Sequence, residues 1–308
     1  MKTIQEIQSN GLMWVDVSKQ GVKELAEIQK RFGFSEQDIK ESLPPYQRPK
    51  IVKHLDYYFM VLHFPIFDRD TKRLSFTEVD FFLSGSCLVT IHSSQLHVIE
   101  MFFTECRKNI EKQNEYFQGT AVHILFELVS RLLDSIFPIL LHVNEDINFV
   151  DKKLFSQTPS RAMAEEILRL KTNVVTFRRT MQGHRTVLER LIMYSGHDLD
   201  VGSFQSYINN LREFTNEIWH MLESQKESIN ALHETNESLV NLRTNQVMKT
   251  LTIISVVTFP LTLFVAWTDV KAGGNFFSVI PGGFWLVTAL MIIGGLSMVY
   301  SFKKKDWL

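Results

Sequence analysis

The chain has 308 residues, of which 22% are charged and 45% are apolar, so neither a disordered polar chain nor a protein embedded throughout in a membrane fits. Lysine plus arginine (33) nearly balances aspartate plus glutamate (34), and the resulting net charge of −1 gives no electrostatic reason to expect nucleic-acid binding. The two cysteines, Cys87 and Cys106, form neither a CxxC pair nor a disulfide framework. No apolar run follows Lys2, so no signal peptide is expected.

Residues 1–118 are predicted to form a cytoplasmic α/β domain. Leu12–Val17, residues 57–65 and Cys87–His92 read as strands, while residues 19–32 have helical spacing. No nucleophile, acid–base pair or glycine-rich phosphate loop occurs at usable spacing, so we expect no enzyme and no covalently bound cofactor. The ten histidines lack metal-ligand spacing and are interpreted as surface or packing residues.

Helical patterns follow. Residues 119–200 are predicted to form a helical hairpin, with helices over 121–155 and 162–194. A third pattern starts near Ser203 and meets no glycine or proline before Pro260. If it continued to Trp267 it would be a rod of about 95 Å, which one small domain cannot bury, so we expect it to form a bundle with copies of itself. Residues 201–249 would be its cytoplasmic part.

The C-terminal region is predicted to cross a membrane twice. Residues 250–268 and 276–302 contain no charged side chain, and each run can span the roughly 30 Å hydrocarbon core. The predicted segments are transmembrane helix 1 (250–268), an extracytoplasmic loop (269–283), transmembrane helix 2 (284–302) and a basic tail (303–308). The alternative is a buried helical hairpin of a soluble core.

Basic residues predict the orientation of these spans. Arg243 and Lys249 precede the first span and three lysines, 303 to 305, follow the second, whereas the connecting loop holds one lysine. The positive-inside rule therefore places both termini in the cytoplasm, in a multi-pass protein of the cell (inner) membrane whose partners include the lipid bilayer.

One stripe of the first span carries polar groups. Its members recur at alternating steps of three and four, which places them on one helix face: Asn245, Met248, Thr252, Ser255, Phe259, Thr262 and Ala266. We call this the 245–266 stripe. In one interpretation the hydroxyls bond their own backbone and face other helices or lipid. In the other, several copies line an aqueous path, where Met248, Phe259 and the neighbouring Leu251 form constrictions that gate by dewetting, and Asn245 binds the hydration shell of a divalent ion.

These residues resemble a known family. The run T-N-Q-V-M-K-T-L-T-I-I at 244–254, F-P-L-T-L at 259–263 and the tail F-K-K-K-D-W-L at 302–308 resemble CorA-type magnesium transporters. Weaker likeness extends through W-V-D at 14–16 and Q-R-P-K at 47–50. The resemblance implies a homopentameric funnel with a cytoplasmic α+β domain, long helices, a two-helix transmembrane hairpin and a central pore. It also implies that Asn245, Met248 and Leu251 line the pore, and that a divalent cation is both substrate and regulator.

The outer mouth departs from the family. The family's Gly-Met-Asn signature should follow the first span at a fixed distance, but ungapped counting puts Asp269, Val270 and Lys271 there. A Gly273-Gly274-Asn275 run lies about four residues further on, and an insertion of that size would also shift the helix end. Either the loop has slipped outward and Asn275 still forms the ring, or the signature is lost or strongly modified, which is the alternative we favour. In both cases these six residues form the outer mouth. In a pentamer, five copies of Lys271 would repel a divalent cation unless five copies of Asp269 offset them.

The predicted function is passage of a divalent metal cation through a pentameric pore. Mg²⁺ is the favoured ion, and Co²⁺, Ni²⁺ and Zn²⁺ are the other candidates. The altered signature motivates the alternative, a non-conducting or zinc-type protein of the same architecture.

Overall fold

The computed structural model describes residues 3–18, 21–93, 95–156, 160–198, 205–269 and 283–304. The chain divides into two compact units, Met1–His233 and Glu234–Leu308. The predicted divisions at 118 and 200 both fall within the first unit.

The first unit is built on a six-stranded sheet. Its strands are β1 (Ile4–Ser9), β2 (Leu12–Val17), β3 (Lys50–Lys53), β4 (Tyr58–Asp68), β5 (Arg73–Leu83) and β6 (Cys87–His92). Their order is β1-β2-β6-β5-β4-β3, with β2 and β6 parallel and every other pair antiparallel. The predicted strands at β2 and β6 are confirmed to the residue. Strands β5 and β6 pair as an antiparallel hairpin. The outermost strands of the order, β1 and β3, were not predicted.

Nine helices lie in the described part of the chain. They are α1 (Val22–Phe32), α2 (Glu36–Glu41), α3 (His97–Lys108), α4 (Ile110–Tyr116), α5 (Ala121–Asp134), α6 (Phe137–Ser156), α7 (Arg161–Asp198), α8 (Gln205–Asp269) and α9 (Gly283–Lys304). The N-terminal helices α1 and α2 contribute to the core on one sheet face, and α3, α5 and α7 contribute to the larger core on the other. Because both faces are covered, the central strands carry near-continuous apolar runs, as Phe59–Leu62 does.

The prediction of one helix over residues 121–155 is wrong. The structure has two helices, α5 and α6, separated after Asp134. Pro138 explains the break, because a proline lacks an N–H and is accommodated in the first turn of a helix rather than in its interior. The other two predicted helices are present: α7 runs a few residues beyond the predicted 162–194, and α8 continues through Pro260 to Asp269.

Helix α7 is held against the sheet by polar contacts with the backbone. Asn173 accepts a hydrogen bond from the Leu74 amide at 3.0 Å and donates one to the Lys72 carbonyl at 2.9 Å. About three turns further along α7, the buried His184 donates through Nε2 to the carbonyl of His63 on β4. These bonds satisfy backbone groups at the sheet surface and fix where the helix lies on it.

Candidate pore-lining helix

The C-terminal part of α8 and the whole of α9 are long and apolar enough to cross a membrane, judged by length and composition, and none of the most apolar window of either helix is buried. Uncovered apolar surface of this extent is unfavourable in water. The alternative of a buried soluble hairpin requires these residues to be covered. Their exposure in the described structure favours membrane spans.

The 245–266 stripe lies on one continuous helix. At 3.6 residues per turn, its seven members and Leu251 occupy an arc of about 120° and extend over about 32 Å of axis, close to the thickness of a hydrocarbon core. Its large apolar members are exposed: Met248 by 57%, Phe259 by 71% and the neighbouring Leu251 by 63%. The structure thus places the predicted residues of α8 on one face, where all of them except the half-buried Ser255 are exposed.

Helix α9 lies against the opposite face of α8. A Cβ atom added to Gly295 would lie 3.6 Å from Cδ1 of Leu261, and one added to Gly294 would lie 3.9 Å from Cδ2 of the same side chain. The half-buried apolar residues of the membrane part of α8 are Ile253, Val257, Leu261 and Phe264. At about 100° per residue around the helix axis, the mean direction of these four residues is roughly opposite to that of the stripe. Packing against α9 therefore leaves the stripe free.

The hydroxyl groups of the stripe are bonded to their own helix. Thr252 donates to the Met248 carbonyl at 2.8 Å, Ser255 to the Leu251 carbonyl at 2.9 Å, and Thr262 to the Thr258 carbonyl at 2.8 Å. This bonding pattern is the one that lets hydroxyls sit in an apolar environment. It also leaves the lone pairs of each hydroxyl oxygen available as acceptors. The backbone bonding of these hydroxyls was one of the two interpretations that the sequence left open, and the structure shows the bonds.

Pro260 lies within the same helix. Because proline has no N–H, the carbonyl of Val256, four residues earlier, receives no intrahelical hydrogen bond from it. This adds a free backbone acceptor to the membrane part of α8, beside the stripe.

Most of the predicted outer mouth falls outside the described residues. Asp269 is the last residue of α8. Val270, Lys271, Gly273, Gly274 and Asn275 lie outside the part of the chain that the structure describes. Their arrangement as a selectivity ring stays a prediction.

The first unit contains two buried carboxylates that the sequence reading did not identify. Glu78 and Asp80 lie on the same side of β5, and both are almost fully buried. Glu78 accepts a hydrogen bond from the Gln47 amide, whereas neither Asp80 oxygen has a hydrogen-bond partner. Burial raises the pKa of Asp80 well above its usual range, the charge of Glu78 raises it further, and Ser42 and Lys50 oppose the shift. Two acidic residues spaced by two in an otherwise apolar strand were the available signal.

No cluster of three or more histidine, cysteine or acidic side chains positioned to hold a metal occurs among the described residues. Asp16 and His92 are a buried pair instead, with His92 Nε2 3.1 Å from an Asp16 oxygen that also accepts from Thr90 at 2.6 Å. This pair joins the parallel strands β2 and β6, which is a structural role.

Comparison with known proteins agrees with this architecture. The family model described as "CorA-like Mg2+ transporter protein" matches residues 9–304. The cobalt/magnesium transport protein CorA of Methanocaldococcus jannaschii is 24% identical over 301 residues, covering 96% of this chain and 92% of that protein. The corresponding protein of Thermotoga maritima is 27% identical over 285 residues, covering 90% of this chain and 78% of that protein.

Solved structures show the same fold. The complete CorA magnesium transporter of M. jannaschii has a TM-score of 0.80 at 23% identity and covers 99% of this chain and 94% of its own. The full-length CmaX protein has a TM-score of 0.73 at 18% identity, and the match covers 96% of this chain and 89% of that protein. The predicted fold class, a soluble α+β domain followed by long helices and two C-terminal apolar helices, is confirmed. Since the family model covers nearly the whole sequence, the chain belongs to the family of CorA-like Mg²⁺ transporter proteins.

Proposed function

We propose that this protein transports divalent metal cations, Mg²⁺ first, through a pore lined by the 245–266 stripe of five copies of the chain. The family is one of transporters rather than enzymes, and divalent cations are accordingly substrate rather than resident cofactor. The proposal adds to this a path, a stoichiometry and a set of lining residues.

The observation that carries the proposal is the placement of α9 on the face of α8 opposite the stripe. Because α9 packs on the opposite side of α8, the stripe is left available for a water-filled path, and it bears the amide and hydroxyl groups. In a ring, the exposed Met248, Leu251 and Phe259 side chains would form apolar constrictions that open and close by wetting and dewetting. Asn245 would form the inner ring, at the cytoplasmic end of the stripe.

Asn245 suits a hydrated ion better than a bare one. Mg²⁺ prefers oxygen ligands and gives up its waters reluctantly, so a ring of amide oxygens binds its water ligands more readily than it replaces them. Co²⁺, Ni²⁺ and Zn²⁺ are the further candidates, because one amide per copy offers no geometry that excludes them.

We propose that both termini lie in the cytoplasm, since Arg243 and Lys249 flank one span, and Lys303 and Lys304 end the other. We also propose Mg²⁺ as a regulator. The start of α8 bears asparagines at 209 and 210 rather than aspartates, and Asn209 accepts a hydrogen bond from Gln205, so a regulatory site there would bind cations more weakly than a carboxylate site.

The test is Mg²⁺ flux into liposomes containing the purified protein. Asn245→Leu removes the inner amide ring and should abolish flux. Gln246→Leu is the matched control, because the adjacent amide lies about 100° away around the helix and should be replaceable with flux within twofold of wild type. Equal flux in the Asn245 variant and wild type would refute the assigned role, and a protein of monomeric mass in lipid would refute the ring.

The second candidate is a protein of this architecture that conducts Zn²⁺ or does not conduct. The cytoplasmic domain of ZntB from Vibrio parahaemolyticus shares the fold of the first unit, with a TM-score of 0.63 at 11% identity. Flux of each ion should be compared between the native loop and the triple variant Asp269→Gly, Val270→Met and Lys271→Asn. A native protein that carries Zn²⁺ but not Mg²⁺, or no ion at all, would favour the second candidate.

A further inference from the structure

We propose that the chain segment covering Asp80 is a pH-sensitive latch, which closes over the protonated carboxyl and opens as that carboxyl ionises. The segment consists of residues 42–49, between the end of α2 and the start of β3, and we call it the 42–49 segment. The inference concerns the first unit alone and does not depend on the proposed function.

Asp80 is buried in apolar surroundings. It is 0% exposed, and neither of its oxygens has a hydrogen-bond partner among the described residues. Its direct neighbours across the sheet, Val61 on β4 and Ile91 on β6, are buried and apolar, as are Leu25 and Ile28, which α1 contributes to the same core. An ionised carboxylate here would lose its hydration without a compensating bond. Burial accordingly raises the pKa of Asp80, and the closed site accommodates the neutral acid.

The charged groups around Asp80 do not offset this burial. Glu78 on the same strand and Glu41 at the end of α2 both oppose a further negative charge. Lys50 on β3 attracts one, but its ammonium group already forms an ion pair with Glu41. On β4, Nε2 of His63 lies 3.5 Å from a Glu78 oxygen. Both basic side chains therefore lie against other carboxylates and leave Asp80 without a counter-ion.

The 42–49 segment contacts the sheet through this pair of buried acids. The Gln47 amide donates to Glu78, and the fully buried Ser42 lies beside Asp80. A serine that donated to Asp80 would favour its ionised form, but the Ser42 hydroxyl donates to the Asp38 carbonyl at 3.2 Å. Its oxygen is left as an acceptor. A protonated Asp80 can donate to that oxygen, whereas an ionised Asp80 meets only its lone pairs.

The segment is a thin cover that can open by itself. Residues 42–49, all of which the structure describes, form no helix or strand, and Pro44, Pro45 and Tyr46 are exposed on the outer side. Regions with few buried contacts open at a lower free energy than the core around them. Once the segment moves away, Asp80 regains water and loses its proton, while the strands beneath can stay paired. Opening is therefore coupled to release of one proton and becomes more favourable as the pH rises.

The test is hydrogen exchange of the full-length protein in detergent, followed by mass spectrometry from pH 5 to 8 and corrected for the intrinsic exchange rate at each pH. A peptide that covers the 42–49 segment contains the Gln47 amide. Its protection in wild type should fall by about tenfold per pH unit above the ordinary pKa of an exposed aspartate, until the pH reaches the raised pKa of the covered group. A peptide from α5 (Ala121–Asp134), in the core of the same unit, should keep its protection.

Two Asp→Asn variants assign the effect to one carboxyl. Asp80→Asn is neutral at every pH and should make the protection of the 42–49 segment independent of pH. Asp70→Asn, in the exposed turn between β4 and β5, is the matched control and should behave like wild type. Constant protection in wild type would overturn the inference, and so would an equal fall in the α5 peptide, because the whole unit would then be opening. Persistence of the pH dependence in Asp80→Asn would assign it to another group and overturn the inference as well.

Discussion

Protonation of His184 should destabilise the first unit. The imidazole ring of this α7 residue is fully buried, and its Nε2 donates a hydrogen bond to the His63 carbonyl. The ring is nearly perpendicular to that of Phe64, with 4.9 Å between the two centroids. Burial lowers the pKa of His184, the hydrogen bond to the His63 carbonyl opposes that shift and the nearby His63 ring adds to it, with the net result that the pKa lies at about 4. The histidine is therefore neutral in the folded protein at neutral pH.

The size of the effect follows from the difference between the folded and unfolded pKa values. An unfolded histidine has a pKa of about 6.5, so the difference is about 2.5 units, and at 1.36 kcal/mol per unit it corresponds to about 3 kcal/mol. Between pH 6.5 and 4 the unfolded chain binds a proton that the folded chain does not. This contribution to stability is complete above pH 6.5 and is lost as the pH falls through that range.

The variant that tests this is His184→Gln, because a glutamine amide can still donate to the His63 carbonyl but does not titrate. The free energy of unfolding of the full-length protein in detergent, followed by tryptophan fluorescence in denaturant, is measured from pH 4 to 8. The difference between wild type and variant should change by about 3 kcal/mol between pH 7 and pH 4. His142→Gln, on the exposed surface of α6, is the control. A pH-independent difference for His184→Gln would refute the reasoning.

Three further outcomes are expected from the same unfolding measurements. The carboxylate beside His92 raises its pKa despite burial, so His92→Gln should cost more stability at pH 6 than at pH 8; an equal cost would contradict a charged pair. Burial raises the pKa of Asp80, so Asp80→Asn should stabilise the protein at pH 7 and remove the loss of stability that wild type shows as pH rises above 4. A destabilised variant would show the carboxylate to be partnered. Gly183→Ala should destabilise the protein, because the added Cβ would lie 2.4 Å from Cβ of Pro49. Gly295→Ala should be neutral or stabilise it by up to about 1 kcal/mol, because its Cβ would make an ordinary contact at 3.6 Å with Cδ1 of Leu261 and alanine is the better helix former. The opposite ranking of the two variants would refute the packing.

The sheet could be predicted where its strands are central and only there. Strands β2 and β6 are apolar on both faces, and their bounds follow directly from the sequence. Strand β1 reads Ile-Gln-Glu-Ile-Gln-Ser and buries only Ile7, so its pairing with β2 is not visible in the hydrophobic pattern. Strand β3 is four residues long and equally polar. At sheet edges, strand formation depends on the neighbour more than on the residues themselves.

The stripe was predictable because helical periodicity is a strong local signal and α8 is uninterrupted over it. The position of α9 was not, since spacing alone does not tell which face of a helix a neighbour covers. The burial of Glu78 and Asp80 was missed for a similar reason: T-E-V-D reads as an alternating strand with a solvated face, and only the tertiary packing on that face turns the carboxylates inward.

The membrane part of α8 has two further faces whose chemistry bears on the proposed ring. Between the stripe and the α9-facing side, one flank exposes Val256 and Trp267 and the other exposes Ile254 and Val265. At about 100° per residue the two flanks lie roughly 160° apart, on either side of the stripe. Two different apolar flanks on one element are what a head-to-tail interface requires, because each copy then covers the first flank of one neighbour with its own second flank, and such an interface closes into a ring when the rotation permits. A two-fold dimer would pair a flank with its own copy, leave the other to lipid, and enclose no path. If the stripe lines a pore as proposed, these two flanks are therefore the surfaces through which neighbouring copies would pack in the ring.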